Sequence, residues 1–316
     1  MIIAKTPFRI SLAGGSTDLE SFLDIYEKGS VITFPCDLYT YVTIFDDKLG
    51  LNTFDKKYII AYSQRESVVN IDKIKNDIAR IVFKRYNIEP INATFNSDIF
   101  SSNCGLASSS SYTLSFLNAI LKFKNINLSD IDFCKEALEI ERKFNPLTGQ
   151  QDIYGCGISG FKRINFFKNQ NPTFRFLNCD IFEKYNFYLI YTGVLRSSTK
   201  ILKDINPEKS YQLLSLVDYM EEAINRNDYK NFISIIKEGW IKKKESNKNI
   251  ISNPQIKKID EELSSNKQIL AHRLCGAGNG GYFLVVTEKK SKINLTNKPN
   301  ILNISYDQEG PKCVKF

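Results

Sequence analysis

Three glycine-rich stretches stand far apart in the chain and constrain what it can fold into. They are Ala13-Gly14-Gly15-Ser16-Thr17-Asp18, Gly105-Leu106-Ala107-Ser108-Ser109-Ser110-Ser111 and Gly276-Ala277-Gly278-Asn279-Gly280-Gly281. Between the last two, Gly149-Gln150-Gln151-Asp152 sets a carboxylate in a turn-forming context. Small residues let backbone approach a phosphate closely, and exposed N–H groups at a helix start attract negative charge. One such loop says little. Three in fixed order around an acidic turn point to nucleotide-dependent phosphoryl transfer. The second stretch is not a Walker A loop, since no Gly-Lys-Ser/Thr follows it; taken alone it could equally be a serine-rich helix cap.

The 316 residues are comfortable for two domains. The net charge of +8 comes from lysines spread along the chain. Without a basic stripe interleaved with aromatics, they read as solvated lysines or a modest positive field suited to small anions, not as a nucleic-acid site. No stretch has the apolar length to span a bilayer, and the start of the chain lacks a signal-peptide layout. The seven scattered cysteines include no C-x-x-C pair, which argues against a disulfide framework or zinc site and for a reducing cytoplasm.

Alternation predicts strands over 1–13, 39–45, 57–63, 90–98 and 187–192, with a closing strand at 282–287. Ile71, Ile74, Ile78, Ile81 and Val82 recur at helical spacing and predict one amphipathic helix over 70–86. Leu114, Leu117 and Leu121 predict a helix over 108–121 with the serines as N-caps. Another is expected over 129–144, and at least three more between 198 and 265. Asn169-Gln170-Asn171-Pro172 is the linker candidate. The mixed order predicts two α+β domains, 1–170 and 171–316.

Cys134, Ala137 and Leu138 mark the inward stripe of the 129–144 helix, and Glu141 continues it. A carboxylate there is costly unless it is paired or holds a metal. The alternatives are rotation into water or pairing with Arg142 or Lys143. Asp152, past Pro146 and Gly149 in an irregular turn, could take a proton from a hydroxyl during phosphoryl transfer, or be an ordinary Asx-turn residue. Arg196, Ser197 and Ser198 open a helix after a strand and a glycine turn. A planar donor fork beside hydroxyls suits a dianionic phosphate, against the alternative of an arginine packed on the other domain. His272 is the single histidine, and no G-x-S-x-G accompanies it, so Ser-His chemistry has little support.

Residues 6–18 resemble the first motif of the GHMP kinases, residues 105–111 their ATP-phosphate loop and residues 276–281 their third motif. Order and separation match too, over nearly the whole chain. Within that family, Gly149-Gln150-Gln151-Asp152-Ile153-Tyr154, residues 191–198 and Gly239-Trp240 resemble the heptose 7-phosphate kinases. The resemblance implies a GHMP-kinase-like fold: an N-terminal mixed βαβ domain and a C-terminal ferredoxin-like α/β sandwich, with ATP between them. It implies Asp152 and Arg9 as catalytic residues, and Ser109 and Glu141 as Mg²⁺ ligands. Gly105, Leu106, Ala107, Ser108, Ser109, Ser110 and Ser111 would form the ATP loop. Asp18 with Gly14, Gly15 and Ser16, Gly278 with Gly280, and the Arg196–Ser198 cluster would meet the substrate. The implied activity is ATP-dependent phosphorylation of the anomeric hydroxyl of D-glycero-D-manno-heptose 7-phosphate, for GDP-heptose and surface polysaccharide. A fucokinase-like sugar 1-kinase and a catalytically inactive sensor are the other readings. The expected partner is a small-molecule sugar phosphate, with no nucleic acid or membrane and a homodimer as the one assembly allowed for. Ala107 stands where the family loop usually has glycine, a cheap change unless the position requires positive φ.

Overall fold

Two long apolar strands, β1 (Ile2–Gly14) and β2 (Lys28–Phe45), form the spine of the first sheet. The structure, a computed structural model, describes residues 1–45, 56–100, 104–195, 207–291, 293 and 301–316. Helix α1 (Glu20–Tyr26) fills the β1–β2 connection. β2 pairs with β1 along its length, and its far edge is shared between two partners. Residues 40–45 pair with β5 (Asn92–Ser97), and residues 28–33 with β6 (Lys162–Phe167). β3 (Tyr58–Ala61) runs parallel to β5 and forms a hairpin with β4 (Arg65–Val68). β7 (Thr173–Phe176) pairs with β6, and β12 (Lys312–Lys315) covers the outer edge of β1.

Even-numbered residues of β1 divide between two cores. Ile2 and Ala4 pack under α2 (Asp77–Arg85), α3 (Ser108–Lys124), α4 (Asp130–Arg142) and α5 (Gln151–Gly157). Phe8, Ile10 and Leu12 belong to a second core. The register shift at Pro7/Phe8 lies between the two groups, and such irregularities bend a strand and re-aim its side chains. Arg9 follows directly.

The second sheet runs β11 (Ile301–Ile304), β8 (Tyr185–Tyr191), β10 (Tyr282–Glu288), β9 (Ile269–Leu274), antiparallel throughout. Helices α6 (Leu214–Asn225) and α7 (Tyr229–Ser246) touch β1, and α7 and α8 (Pro254–Ser265) touch β9. Val217 and Phe232 from α6 and α7 join Phe34 and Phe187 from the two sheets in the second core. Trp240, Ile256 and Phe283 anchor a third beneath α7 and α8. The α+β architecture with two sheets is the expected one.

Four local expectations need correcting. The 70–86 helix is broken: a 3₁₀ turn at Ile71–Lys73 is followed by α2 from Asp77. The buried Glu66 carboxylate accepts from the backbone N–H of Lys75 and Asn76, at 2.6 and 2.9 Å, and Asn76 then caps α2. Hydrophobic period alone does not register such competing acceptors. Asn169–Pro172 is the turn of the β6–β7 hairpin, because both flanking strands pair with each other. The chain passes to the second sheet only between Phe176 and Tyr185, and β12 returns it to the first. Strand 282–287 is therefore not the closing one. The serines at 108–111 do not cap α3; they lie within its first turn.

The N-cap of α3 is Ala107, with φ 66 and ψ 40. A left-handed conformation costs a residue with a Cβ roughly 1–2 kcal/mol. Ala107→Gly should therefore stabilise the protein by about 1 kcal/mol in urea unfolding. An unchanged or lower midpoint would show that the loop has relaxed around the alanine.

Candidate active site

Arg9 is the most connected residue of the central cleft. Its Nε and Nη2 both donate to Asp152 Oδ1, at 3.0 and 2.7 Å, and its Nη1 donates to the Gly105 carbonyl at 3.0 Å. Burial alone would lower its pKa, but the Asp152 carboxylate raises it, so the guanidinium stays charged. Asp152 sits in the first turn of α5, not in an irregular turn as the sequence suggested. Gly155 and Gly157 are tolerated in this helix because Arg9 and Cys134 occupy the space side chains would need. The Asp152 side chain keeps 32 % exposure, so a hydroxyl can reach it.

Beside this pair, α3 opens toward the cleft with no side-chain cap. Its first backbone N–H groups have no partner within the helix, which makes this end of the cleft favourable for an anion. The loop before α3 is interleaved with the third glycine motif. A Cβ on Gly105 would stand 2.7 Å from the Cys275 carbonyl oxygen, and one on Gly281 would collide with the Cys104 carbonyl. Only glycine permits backbones this close.

Glu141 projects from the buried stripe of α4 as its periodicity requires. Ser110 Oγ donates to its Oε2 at 2.6 Å and Thr148 Oγ1 to its Oε1 at 3.4 Å, and Ser109 also hydrogen-bonds it. The Arg142 alternative fails, because Arg142 pairs with Glu20 at 2.8 Å. Burial pushes the Glu141 carboxyl up to about 7, against the hydrogen bonds. Asp18 is also buried, which raises it to about 6. Its Oδ2 accepts from the Gln151 N–H at 2.9 Å, while Oδ1 is buried without a partner. A side chain at position 149 would displace this carboxylate.

Gly14, Gly15, Ser16, Asp18, Arg9 and Asp152 line one cleft together with Gly105, Ala107, Ser108, Ser109 and Glu141. Leu106 is in the core, and Ser111 bonds Thr6 O and Thr40 Oγ1 at 2.9 and 2.7 Å, so neither lines the cleft. Gly278 packs on Ile250, and neither it nor Gly280 lines the cleft; Gly276 and Ala277 do. Arg196, Ser197 and Ser198 lie outside the described residues. His272 belongs to a separate network, with Asp260 accepting from its ring at 2.8 Å and from Trp240 Nε1 at 2.6 Å. Sequence reasoning missed two cleft cations, Lys243 and Arg273. Lys243 donates to the carbonyls of Leu274 and Gly276 and so fixes the third loop. Its place three residues after the Gly239-Trp240 pair was a usable cue; Arg273, three residues before the third glycine motif, was another.

A basic residue paired with a reachable carboxylate, a second buried carboxylate and an open helix start form the apparatus of phosphoryl transfer. Residues 72–160, which carry the α3 turn, Glu141 and Asp152, match the GHMP kinases N terminal domain. This segment is a GHMP kinase N-terminal domain. Along its whole length the chain is 27 % identical to the D-glycero-alpha-D-manno-heptose 7-phosphate kinase of Campylobacter jejuni, covering 100 % of this chain and 99 % of that one. It is 24 % identical to the L-fucokinase/L-fucose-1-P guanylyltransferase of Bacteroides fragilis, over 95 % of this chain but 36 % of that protein. The fold superposes on a crystal structure of a D-glycero-D-manno-heptose 1-phosphate kinase from Bacteroides thetaiotaomicron with a TM-score of 0.77, at 22 % identity over 100 % and 99 % of the two chains. The fold is thus that of GHMP kinases throughout, beyond the segment the domain covers. No helix among the described residues is long and apolar enough to cross a membrane.

The raised Glu141 pKa makes a stability prediction. The folded state holds this proton up to about pH 7, above the ordinary value of 4.5. Stability of the ligand-free protein therefore falls as pH rises through that window, when the buried charge forms. Glu141→Gln should raise the melting temperature at pH 8, by about 2–4 °C for each kcal/mol relieved, with the gain vanishing near pH 4.5. A lower melting temperature at pH 8 would mean the carboxylate is already compensated.

Proposed function

We propose that the protein is an ATP- and Mg²⁺-dependent kinase. It transfers the γ-phosphoryl group of ATP to the anomeric hydroxyl of D-glycero-D-manno-heptose 7-phosphate, giving the 1,7-bisphosphate for GDP-heptose and surface polysaccharide. The observation that carries this reading is the placement of Asp152, held by Arg9, in one cleft with Glu141 and the uncapped start of α3. Full-length similarity to the Campylobacter enzyme supports the heptose assignment. The Bacteroides fucokinase similarity favours, as the second reading, a sugar 1-kinase acting on an unphosphorylated sugar. Together Asp152, Glu141 and the serine loop speak against an inactive sensor.

In the proposed mechanism Asp152 orients the acceptor hydroxyl and takes its proton as the oxygen bonds to the γ-phosphorus. The bond from that phosphorus to the bridging oxygen breaks, and ADP leaves. With a loose transition state, positioning and charge stabilisation contribute more than full deprotonation. Arg9 holds the Asp152 carboxylate in place and adds positive charge beside the transferred group. The N–H groups of α3 hold the nucleotide phosphates. Asp18, with its unpartnered Oδ1, accepts from sugar hydroxyls near the Gly14–Ser16 turn.

The residues present fit a magnesium ion: Glu141 is a buried carboxylate without a basic partner among the described residues, and Ser109 stands beside it. Among the described residues no three His, Cys, Asp or Glu side chains gather into a metal cage. A Mg²⁺ here would rest on Ser109, Glu141 and phosphate oxygens, in the manner of a hard cation that uses few protein ligands, and would neutralise phosphate charge. We further assign Arg196, Ser197 and Ser198 to the sugar's distal phosphate.

Asp152→Asn should reduce turnover about 10²–10⁴-fold with nucleotide binding nearly intact. Asparagine is the informative change, because it leaves Arg9 an acceptor. Product NMR on a panel of free and phosphorylated sugars would identify the acceptor, and near-normal turnover in the purified variant would remove Asp152 from the chemistry. Glu141→Ala should raise the Mg²⁺ concentration needed for half-maximal rate; an unchanged magnesium titration would make Glu141 purely structural.

A further inference from the structure

Lys162 has no role in the scheme above, yet its side chain is fully buried at the start of β6. Its Nζ donates to the carbonyls of Gly155, Ile158 and Gly160, at 3.3, 2.5 and 3.2 Å. Gly155 belongs to the last turn of α5, and Ile158 is the C-cap of that helix. Carbonyls at the end of a helix have no partner within it, and a cation there also meets the negative end of the helix dipole. No carboxylate among the described residues pairs with the ammonium. The titratable groups it interacts with are the thiols of Cys156 on α5 and Cys134 on α4, both pushed up by burial and so uncharged. Burial lowers the Lys162 pKa to about 7. A buried ammonium without a counter-charge is costly, so the three carbonyls are what hold it there.

Helix α5 has 7 residues, too few to be stable by itself, so its place depends on what grips its two ends. At the first turn Arg9 grips Asp152. Asp152 and Gly155 are three positions apart and share a face of the helix. A Cβ on Gly155 would stand 3.1 Å from Arg9 Cγ, so the Arg9 side chain lies along α5 from Gly155 to the carboxylate. Any slide or tilt of α5 changes both contacts at once. Lys162 bonds the carbonyl of that same Gly155 from β6, which pairs with β2 in the sheet that also carries Arg9. The sheet thus holds the helix twice: by a cation whose counter-charge is the candidate catalytic carboxylate, and by one that has only carbonyls.

We propose that Lys162 is a positioning residue for Asp152: by tying the last turn of α5 to β6, it sets where the carboxylate stands against Arg9 and the acceptor hydroxyl. The inference rests on the kinase reading for its catalytic consequence. One readout needs no turnover: the slowly exchanging Nε–H NMR signal of Arg9 in the ligand-free full chain, assigned by its disappearance in Arg9→Lys. Steady-state kinetics with heptose 7-phosphate and ATP, and calorimetric titration of ATP, are run in parallel, well below the melting transition. Lys162→Met keeps the length of the side chain and removes its donors. It should shift or broaden the Arg9 signal and lower kcat about ten- to a hundredfold, since a misplacement of about 1 Å can cost as much as the upper figure. The KM and dissociation constant for ATP should be unchanged. Lys162→Gln, which retains a donor amide, should recover part of both the signal and the rate. A purely structural role would lower the melting temperature of both variants while leaving kcat and the Arg9 signal as they are, and that result would overturn the proposal. So would a weakened affinity for ATP, no recovery in Lys162→Gln, or failure of both variants to fold, which would make Lys162 a requirement of the fold and not of the alignment. If the unaltered protein phosphorylates no sugar, the kinase reading falls, and the Arg9 signal still decides what Lys162 holds.

Discussion

The cleft depends on one buried cation. Arg9 reaches α5 through Asp152 and the loop before α3 through the Gly105 carbonyl, while its own backbone N–H donates to Leu106 O at 3.3 Å. Two segments remote in sequence are thereby referred to a single residue of β1. The desolvation of a guanidinium is tolerable because its counter-ion and a carbonyl are both in place. Replacing either partner would unsettle the alignment of the other elements as well as the charge.

Much of this was legible in the sequence because it is local. Helical spacing put Glu141 on the buried stripe of α4, and burial follows from that spacing alone. The three glycine motifs announced close backbone approaches, and Gly105 and Gly281 make them. The break before α2 was not legible, because the acceptor that ends the extended segment is Glu66, on a strand outside the periodic run. Arg273 was missed for the same reason: its partner is Leu12, 261 positions away, and an arginine in a strand has no pattern that declares it unpaired. The hairpin at Asn169–Pro172 carries the composition of a linker, and only strand pairing distinguishes the two.

The electrostatic state of the cleft is held away from what water would choose. Asp18 and Glu141 lean toward their neutral forms, and Arg273 leans away from its charged one, all through burial. Each shift records solvation lost before any ligand has replaced it. Charged ligands of the right sign relieve these costs on binding, so affinity and ligand-free stability are opposed in this site.

β12 closes the edge of the strand that carries Arg9, and the backbone N–H of Phe316 donates to the Met1 carbonyl at 2.9 Å. The first strand described thus acquires an edge neighbour from the last one described, and a wall of its cleft from the third glycine motif. Contacts of such sequence separation are slow to form, since a long loop must close before they contribute. During synthesis β1 and β2 can pair, but one flank of β1 waits until residues 312–315 are made. A fragment ending near residue 170 would leave that flank an open edge, prone to recruiting strands from other molecules.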